Sequence, residues 1–133
     1  ATNDVSYGDQ HAILALGPNR WYVLSPYQNG KATEAKLRAM ESNKTIAITD
    51  VSHAWNVIRL NGRHARDVLA KLCSIDLHPS TFKVGSCAQT ELRGLYIVLH
   101  ATNFENFEIF VMRSFLLTIW DWLQDAAAEY RKS

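Results

Sequence analysis

Residues 114–130, the last long segment of the chain, predict a helix that is apolar around an unusually large part of its circumference. Ser114 is a good N-cap residue, so we expect the helix to begin there and to end near Tyr130. At about 100° per residue, its apolar side chains cover an arc of roughly 160°, against ~100° for a surface helix. The arc contains Phe115, Leu116, Ile119, Trp120, Trp122, Leu123, Ala126, Ala127 and Tyr130. One sheet cannot cover this surface and Leu117 as well, so the segment predicts a protein partner.

The order of the predicted elements indicates the fold class. Strands are predicted at residues 20–25, 45–51, 56–60, 86–92, 95–100 and 107–112, and helices at 32–40, 65–72 and 114–130. Because they do not alternate as regular βαβ units, we predict an α+β fold with two or three helices on a largely antiparallel sheet. We expect residues 1–19 to form an N-terminal arm or weak strand and residues 20–133 to form one domain.

Composition indicates an ordinary globular protein. The chain has 133 residues, 47% of them hydrophobic and 20% charged, with a formal net charge of +1. This length suits one domain with a substantial core. The apolar runs are too short to span a bilayer. Two cysteines, without a charged-then-apolar leader, favour reduced thiols and a cytoplasmic location.

Residues 72–94 contain residue types that are common in active sites. Cys73, Asp76, His78 and Cys87 could in principle bind zinc. Structural zinc sites, however, draw ligands from close pairs such as Cys-x-x-Cys, and this spacing contains no such pair. We therefore predict no metal site, two buried thiols, and a scaffolding role for this stretch.

Other catalytic patterns are equally weak. Asp50, Ser52 and His53 supply the residue types of a nucleophilic triad, but in an extended segment His53 points away from the other two. The chain also has no glycine-rich phosphate-binding motif. We therefore predict no catalytic residues and no nucleotide cofactor in this chain.

A third possibility is a nucleic-acid-binding module, because basic residues cluster around the second helix. They are Arg59, Arg63, His64, Arg66 and Lys71. The overall charge is nearly balanced, so no strong electrostatic footprint accompanies the cluster. This function is kept as the second alternative.

Five residues are candidates for contact with a partner. Two lie on the connection between predicted strands, one at the entry to the last helix and two in that helix; they are His53, Trp55, Arg113, Phe115 and Trp122. Connections often carry binding residues, whereas an aromatic residue can equally serve as part of the core.

Several separated motifs together resemble a known family. They are Asp50-Val51-Ser52-His53-Ala54-Trp55, Asp76-Leu77-His78-Pro79, Gly85 with Ala88-Gln89-Thr90, and Arg113-Ser114-Phe115 with Trp120 and Trp122-Leu123. In this order they resemble the gamma subunit of the heterotetrameric sarcosine oxidases, from about residue 45 to residue 130. The family pattern has a proline after Gly62, where this chain has Arg63, and residues 1–40 match no motif of the family.

The resemblance implies a non-catalytic structural subunit in a complex that oxidatively demethylates sarcosine to glycine. Such complexes transfer the one-carbon unit to tetrahydrofolate and form hydrogen peroxide. The resemblance implies that the alpha subunit handles NAD and tetrahydrofolate, the beta subunit carries FAD and covalent FMN, and the delta subunit binds zinc. The gamma subunit holds none of these. Its fold is expected to resemble part of the aminomethyltransferase folate-binding domain.

The first alternative function is an autonomous folate- or small-molecule-binding domain. It follows from the same fold resemblance, with Trp55, Gln89 and Trp120 as possible stacking and polar groups.

Overall fold

The computed structural model describes residues 5–7, 12–17, 20–24, 35 and 54–131. The predicted strand at residues 45–51 and, apart from Ala35, the predicted helix at 32–40 lie outside the described residues. So do Asp50, Ser52 and His53, the three residues considered as a triad.

A small antiparallel sheet is formed near the N-terminus. Its strands are β1 (Val5–Tyr7), β2 (Ala12–Gly17) and β3 (Arg20–Leu24), and β2 lies in the middle. Residues 1–19, predicted as an arm or a weak strand, therefore contribute two strands to a sheet. β2 ends at Gly17 and β3 begins at Arg20, and the two strands pair in antiparallel orientation.

A larger antiparallel sheet forms the centre of the described structure. Its strands are β4 (Trp55–Asn61), β5 (Cys87–Leu92), β6 (Leu95–Asn103) and β7 (Asn106–Met112), in the order β4-β7-β6-β5. Every pair is antiparallel. Together with the helices this confirms the predicted α+β class. β4 lies at one edge of the sheet, which decides where the candidate surface is found.

Two helices pack on this sheet. They are α1 (Ala65–Ala70) and α2 (Leu116–Ala127), and short 3₁₀ segments at Arg113–Phe115 and Ala128–Arg131 flank α2. The predicted cap at Ser114 is wrong, because Ser114 lies inside the first 3₁₀ turn and Phe115 occupies the N-cap position without a side-chain hydrogen bond. Within the described residues, no helix is long and apolar enough to cross a membrane.

The start of α1 also lacks a side-chain cap. Its N-cap position is occupied by His64, whose side chain makes no capping hydrogen bond. Gly62 adopts a φ of 131°, and its N–H donates to the carbonyl of Glu105 at 2.9 Å. A side chain is strained at such a φ, so glycine suits this turn.

The core occupies both faces of the larger sheet because side chains alternate along each strand. On one face, Ile58, Leu99 and Ile109 lie opposite one another across β4, β6 and β7 and pack under the helices. On the other face, Leu14 and Leu16 of β2 pack on a second cluster, which contains Cys87, Val98 and Phe110. The molecule is thus layered as helices, larger sheet and smaller sheet.

Candidate interaction surface

An open groove of about 360 Å³ lies between the edge strand β4 and helix α2. Its lining residues come from three consecutive positions of the strand and from the first turns of the helix: Val57, Ile58, Arg59, Leu116, Leu117 and Trp120. Leu117 is 78% exposed, Trp120 47% and Val57 46%. The groove is therefore apolar and open to solvent.

The short connection between β7 and α2 determines where this groove lies. α2 follows β7 after a single 3₁₀ turn, and β7 is the neighbour of β4, so the start of α2 lies beside β4. Ile119 and Leu123 are buried and direct one side of the helix into the core. Leu117 and Trp120 lie away from that buried side, which leaves them exposed at the groove.

Three ionisable side chains form a row across the sheet, starting at Arg59 in the groove lining. Register places Arg59 of β4 and His100 of β6 on either side of Glu108 of β7. The Arg59 Nε donates to Glu108 Oε2 at 3.3 Å, and the buried His100 has its Nδ1 3.3 Å from Oε1. The His100 hydrogen bond lowers the pKa of Glu108 and burial opposes this, while the Arg59 hydrogen bond lowers it further. The net pKa of Glu108 lies below its ordinary value.

Sequence reasoning missed this row. The sequence does contain a signal, because Arg59, His100 and Glu108 each lie in a different predicted strand. What the sequence lacked was the pairing register that brings the three together.

The predicted contact residues occupy different environments. Trp55 is the first residue of β4, half-buried, with its ring edge-to-face to Tyr96 at 5.8 Å. Arg113 is exposed at the start of the 3₁₀ turn before α2. His53 lies outside the described residues. Of the two that the structure describes, Arg113 is exposed and Trp55 is half-buried.

Phe115 and Trp122 are half-buried and pack against the main core. The guanidinium of Arg93, in the turn between β5 and β6, lies 5.3 Å from the centre of the Trp122 ring. A partner role for these two aromatic residues stays a prediction. The structure instead exposes Leu117 and Trp120 of the same helix.

The residues considered for zinc lie in separate places. Cys73 packs in the core beneath the helices and Cys87 in the cluster on the opposite face of the sheet. Asp76 accepts a hydrogen bond from the backbone N–H of His78 at 2.9 Å, and this bond, with a second from Thr81, lowers its pKa. Nowhere in the described ranges do three or more His, Cys, Asp or Glu side chains come together to hold a metal ion.

The loop around His78 does not form a catalytic relay. The Nδ1 atom of His78 lies 2.7 Å from Ser80 Oγ and also accepts the Ser80 N–H at 3.1 Å. Asp76, however, contacts the backbone of His78 and not its ring. A relay requires the carboxylate to orient the imidazole, so this arrangement is a local turn structure.

The groups considered for folate binding are divided between two surfaces. Gln89 donates to the carbonyl of Leu16 at 2.9 Å and accepts from the Tyr96 hydroxyl at 2.7 Å. Trp55 packs on the same Tyr96, whereas Trp120 lies in the groove beside α2. The side-chain amide of Gln89 thus links the two sheets.

Most of the basic cluster is engaged within the chain. Arg66 donates to the carbonyls of Leu77 and Phe82 at 2.6 and 3.0 Å. Lys71 donates to the carbonyl of Ala126 at 2.9 Å and also pairs with Glu129. These contacts indicate structural roles for the two cations.

Comparison with known proteins identifies the family. The model of the "Sarcosine oxidase, gamma subunit family" matches residues 2–129. The gamma subunit of sarcosine oxidase from Corynebacterium sp. (strain P-1) is 32% identical over 119 residues, covering 90% of this chain and 58% of that protein. The corresponding Arthrobacter sp. subunit is 31% identical over the same length and coverage. This chain therefore spans about 58% of the length of these curated relatives.

Two further similarities agree with this result. An aminomethyltransferase from Saccharopolyspora erythraea is 28% identical over 125 residues, or 92% of this chain and 34% of that protein. The solved structure "Heterotetrameric Sarcosine Oxidase from Corynebacterium sp. U-96 in complex with pyrrole 2-carboxylate" has a chain that superposes with a TM-score of 0.91 at 29% identity. The match covers 100% of this chain and 68% of that one.

These comparisons extend the similarity beyond the motifs in the sequence. The motifs run from about residue 45 to residue 130, whereas the family model begins at residue 2. Residues 2–40, which match none of the quoted motifs, are therefore also covered by the family model, and β1, β2 and β3 fall within the matched region. The chain belongs to the sarcosine oxidase gamma subunit family.

Proposed function

We propose that this chain is a non-catalytic structural gamma subunit of a heterotetrameric sarcosine oxidase. The complex would oxidatively demethylate sarcosine to glycine, pass the one-carbon unit to tetrahydrofolate and form hydrogen peroxide. The observation that carries the structural role is the open apolar groove between β4 and α2, where Leu117 is 78% exposed. Apolar surface gathered in one groove is typical of a protein contact site.

The placement of the ionisable residues supports a structural role. Glu108 binds Arg59 and His100 within the sheet, and Asp76 caps the backbone of a turn. Gln89 of the folate-binding alternative joins the two sheets, and Arg66 of the nucleic-acid alternative holds a loop. Each of these side chains has a contact that stabilises the fold.

The partners in this proposal are the alpha, beta and delta subunits of the oxidase, and the compartment is the cytoplasm. FAD, FMN, NAD, tetrahydrofolate and zinc would be held by those other subunits. The support is the family membership, together with the heterotetrameric assembly named for the solved relative.

Co-purification tests this function. The tagged chain is co-expressed with the other oxidase subunits, captured through its tag and examined for flavin absorbance and for sarcosine-dependent hydrogen peroxide production. We expect a complex that carries flavin and oxidises sarcosine. Capture of the chain alone, although the other subunits are soluble in the same cells, contradicts the proposal.

A further inference from the structure

We propose that the outer edge of β4 and the groove beside α2 receive an extended, apolar segment bearing a carboxylate, supplied by another subunit of the oxidase. The segment adds to the larger sheet next to β4 and inserts apolar side chains into the groove. This inference rests on the proposed function and specifies the surface and the chemistry through which assembly occurs.

The first support is the position of β4. Among the strands that the structure describes, β4 pairs with β7 alone and forms an edge of the sheet. An edge strand presents alternate backbone N–H and C=O groups outward, and an extended segment can bind them. Binding by strand addition obtains affinity from these groups and specificity from pockets for alternate side chains.

The second support is the groove itself, which provides such a pocket. It begins at the β4 edge with Val57 and continues to Leu117 and Trp120 of α2. Single exposed apolar side chains are common on any protein, but here three line one concave surface. Tryptophan is also enriched among the few interface residues that contribute most of the binding free energy. An apolar side chain of an added strand fits this surface.

The third support is the charge around the groove. The Arg59 side chain is 73% exposed and contacts Glu108 through Nε, while its guanidinium has further N–H donors on the terminal nitrogens. Arg113 is exposed three positions before Leu116. These cations favour a partner segment with a carboxylate. They disfavour a second copy of this chain, because a symmetric contact would bring both sets of cations to one interface.

Substitutions in the groove test the surface within the assembled complex. Leu117→Asp and Trp120→Asp are compared with Thr118→Asp, which changes an exposed residue of the same helix outside the groove lining. Each tagged variant is co-expressed with the other subunits, and the recovered complex is quantified. We expect at least a tenfold loss for Leu117→Asp and Trp120→Asp and recovery within twofold of wild type for Thr118→Asp. Circular dichroism of each isolated variant shows whether its fold is retained.

The charge requirement has its own pair of variants. Arg113→Glu is compared with Arg63→Glu, because Arg63 is also exposed but precedes α1 at the other end of β4. We expect Arg113→Glu to lower recovery of the complex severalfold and Arg63→Glu to leave it unchanged. Equal recovery for both would overturn the carboxylate part of the proposal.

Hydrogen exchange identifies the contact and its occupant. In the wild-type complex, exchange is expected to slow at least tenfold in peptides from β4 and the start of α2, relative to the isolated chain. Slowing confined to β5, at the opposite edge, would overturn the proposal. So would equal protection of β4 in the isolated chain, which would mean that this chain or a second copy already covers the edge.

The experiments distinguish an error in the proposed function from an error in the docking surface. If wild-type chain does not assemble with the other subunits, the proposed function is wrong. If wild-type chain assembles and the folded Leu117→Asp and Trp120→Asp variants assemble equally well, the function stands and this docking surface is wrong.

Discussion

At the scale of single residues, Glu108 joins three strands through its contacts with Arg59 and His100. Glu108→Gln removes the charge and weakens both contacts, one of them to a buried ring. Removing a charged partner from a hydrogen bond costs about 1.5–3 kcal/mol, so we expect a loss of that size in the free energy of unfolding at pH 7. Urea unfolding measures it, and Glu105→Gln in the exposed hairpin turn serves as the control.

The difference in the free energy of unfolding between wild type and Glu108→Gln should depend on pH in a defined direction. The folded-state pKa of Glu108 lies below its ordinary value, so its ionised form is stabilised by folding. This contribution is fully present above the unfolded-state pKa of about 4.3 and is lost as the pH falls through the folded-state pKa. The difference between wild type and Glu108→Gln should therefore shrink below about pH 4. A constant difference down to pH 2.5 would contradict this assignment.

Arg66 holds two segments that are distant in sequence. Its guanidinium donates to the carbonyls of Leu77 and Phe82, and it lies 5.0 Å from the centre of the Phe107 ring. Burial lowers its pKa from the ordinary arginine value. We expect Arg66→Met to lower the free energy of unfolding by about 2–4 kcal/mol, because two carbonyls lose a charged donor. Arg63→Met, at an exposed position, should change it by less than about 0.5 kcal/mol.

Such residue-level contacts could not be predicted from the sequence. Periodicity describes one helix at a time, so it does not show what Arg66 contacts outside its own helix. Its hydrogen-bond acceptors lie 11 and 16 residues further on, in a loop whose path the periodicity does not describe. The same limitation hid the row of Arg59, Glu108 and His100, which depends on register between strands.

At the scale of elements, local patterns were sufficient for most of residues 54–131. Strands predicted at 86–92 and 107–112 appear as Cys87–Leu92 and Asn106–Met112, because alternation of apolar residues is a local signal. The last helix was also found, although Ser114 does not cap it. The pairing of β1 with β2 was missed because three-residue β1 has too short a pattern to recognise.

The C-terminal end of α2 is held by Lys71, the C-cap residue of α1. Lys71 donates to the carbonyl of Ala126 and its Nζ lies 4.8 Å from the centre of the Tyr130 ring. A cation at the C-terminus of a helix is favourable because carbonyl groups there lack partners within the helix. We expect Lys71→Met to speed hydrogen exchange at Ala128–Arg131 and to lower the free energy of unfolding by about 1–2 kcal/mol.

Lys83→Met is the matched control for this variant, since Lys83 is exposed in the loop before β5. Unchanged exchange at the end of α2 in Lys71→Met would show that the contact does not hold the helix end.

At the scale of the whole molecule, the layered arrangement determines which apolar surface remains outside. The helices cover one face of the larger sheet, and Leu14 and Leu16 of the small sheet lie on the other. The groove lies between the β4 edge and the helix layer, where Leu117 and Trp120 stay exposed. Part of the apolar arc predicted for the last helix lines this groove, whereas Phe115 and Trp122 pack against the core.

If the groove is an apolar docking surface, assembly has a thermodynamic signature. Burial of apolar surface on binding makes the heat-capacity change negative. Titration calorimetry of the folded chain into the remaining subunits at several temperatures should show this, and Trp120→Asp should reduce both the affinity and the size of the change. A heat-capacity change that is zero or positive would contradict an apolar interface.

The role proposed for this chain is that of a structural subunit in an oxidase complex. Native mass spectrometry of the tag-captured chain, after co-expression with the other subunits, tests it most directly because it reports which chains are present and in what number. We expect one copy of this chain in a four-chain complex that retains flavin. A spectrum containing only this chain, from cells in which the other subunits are abundant and soluble, would contradict the claim.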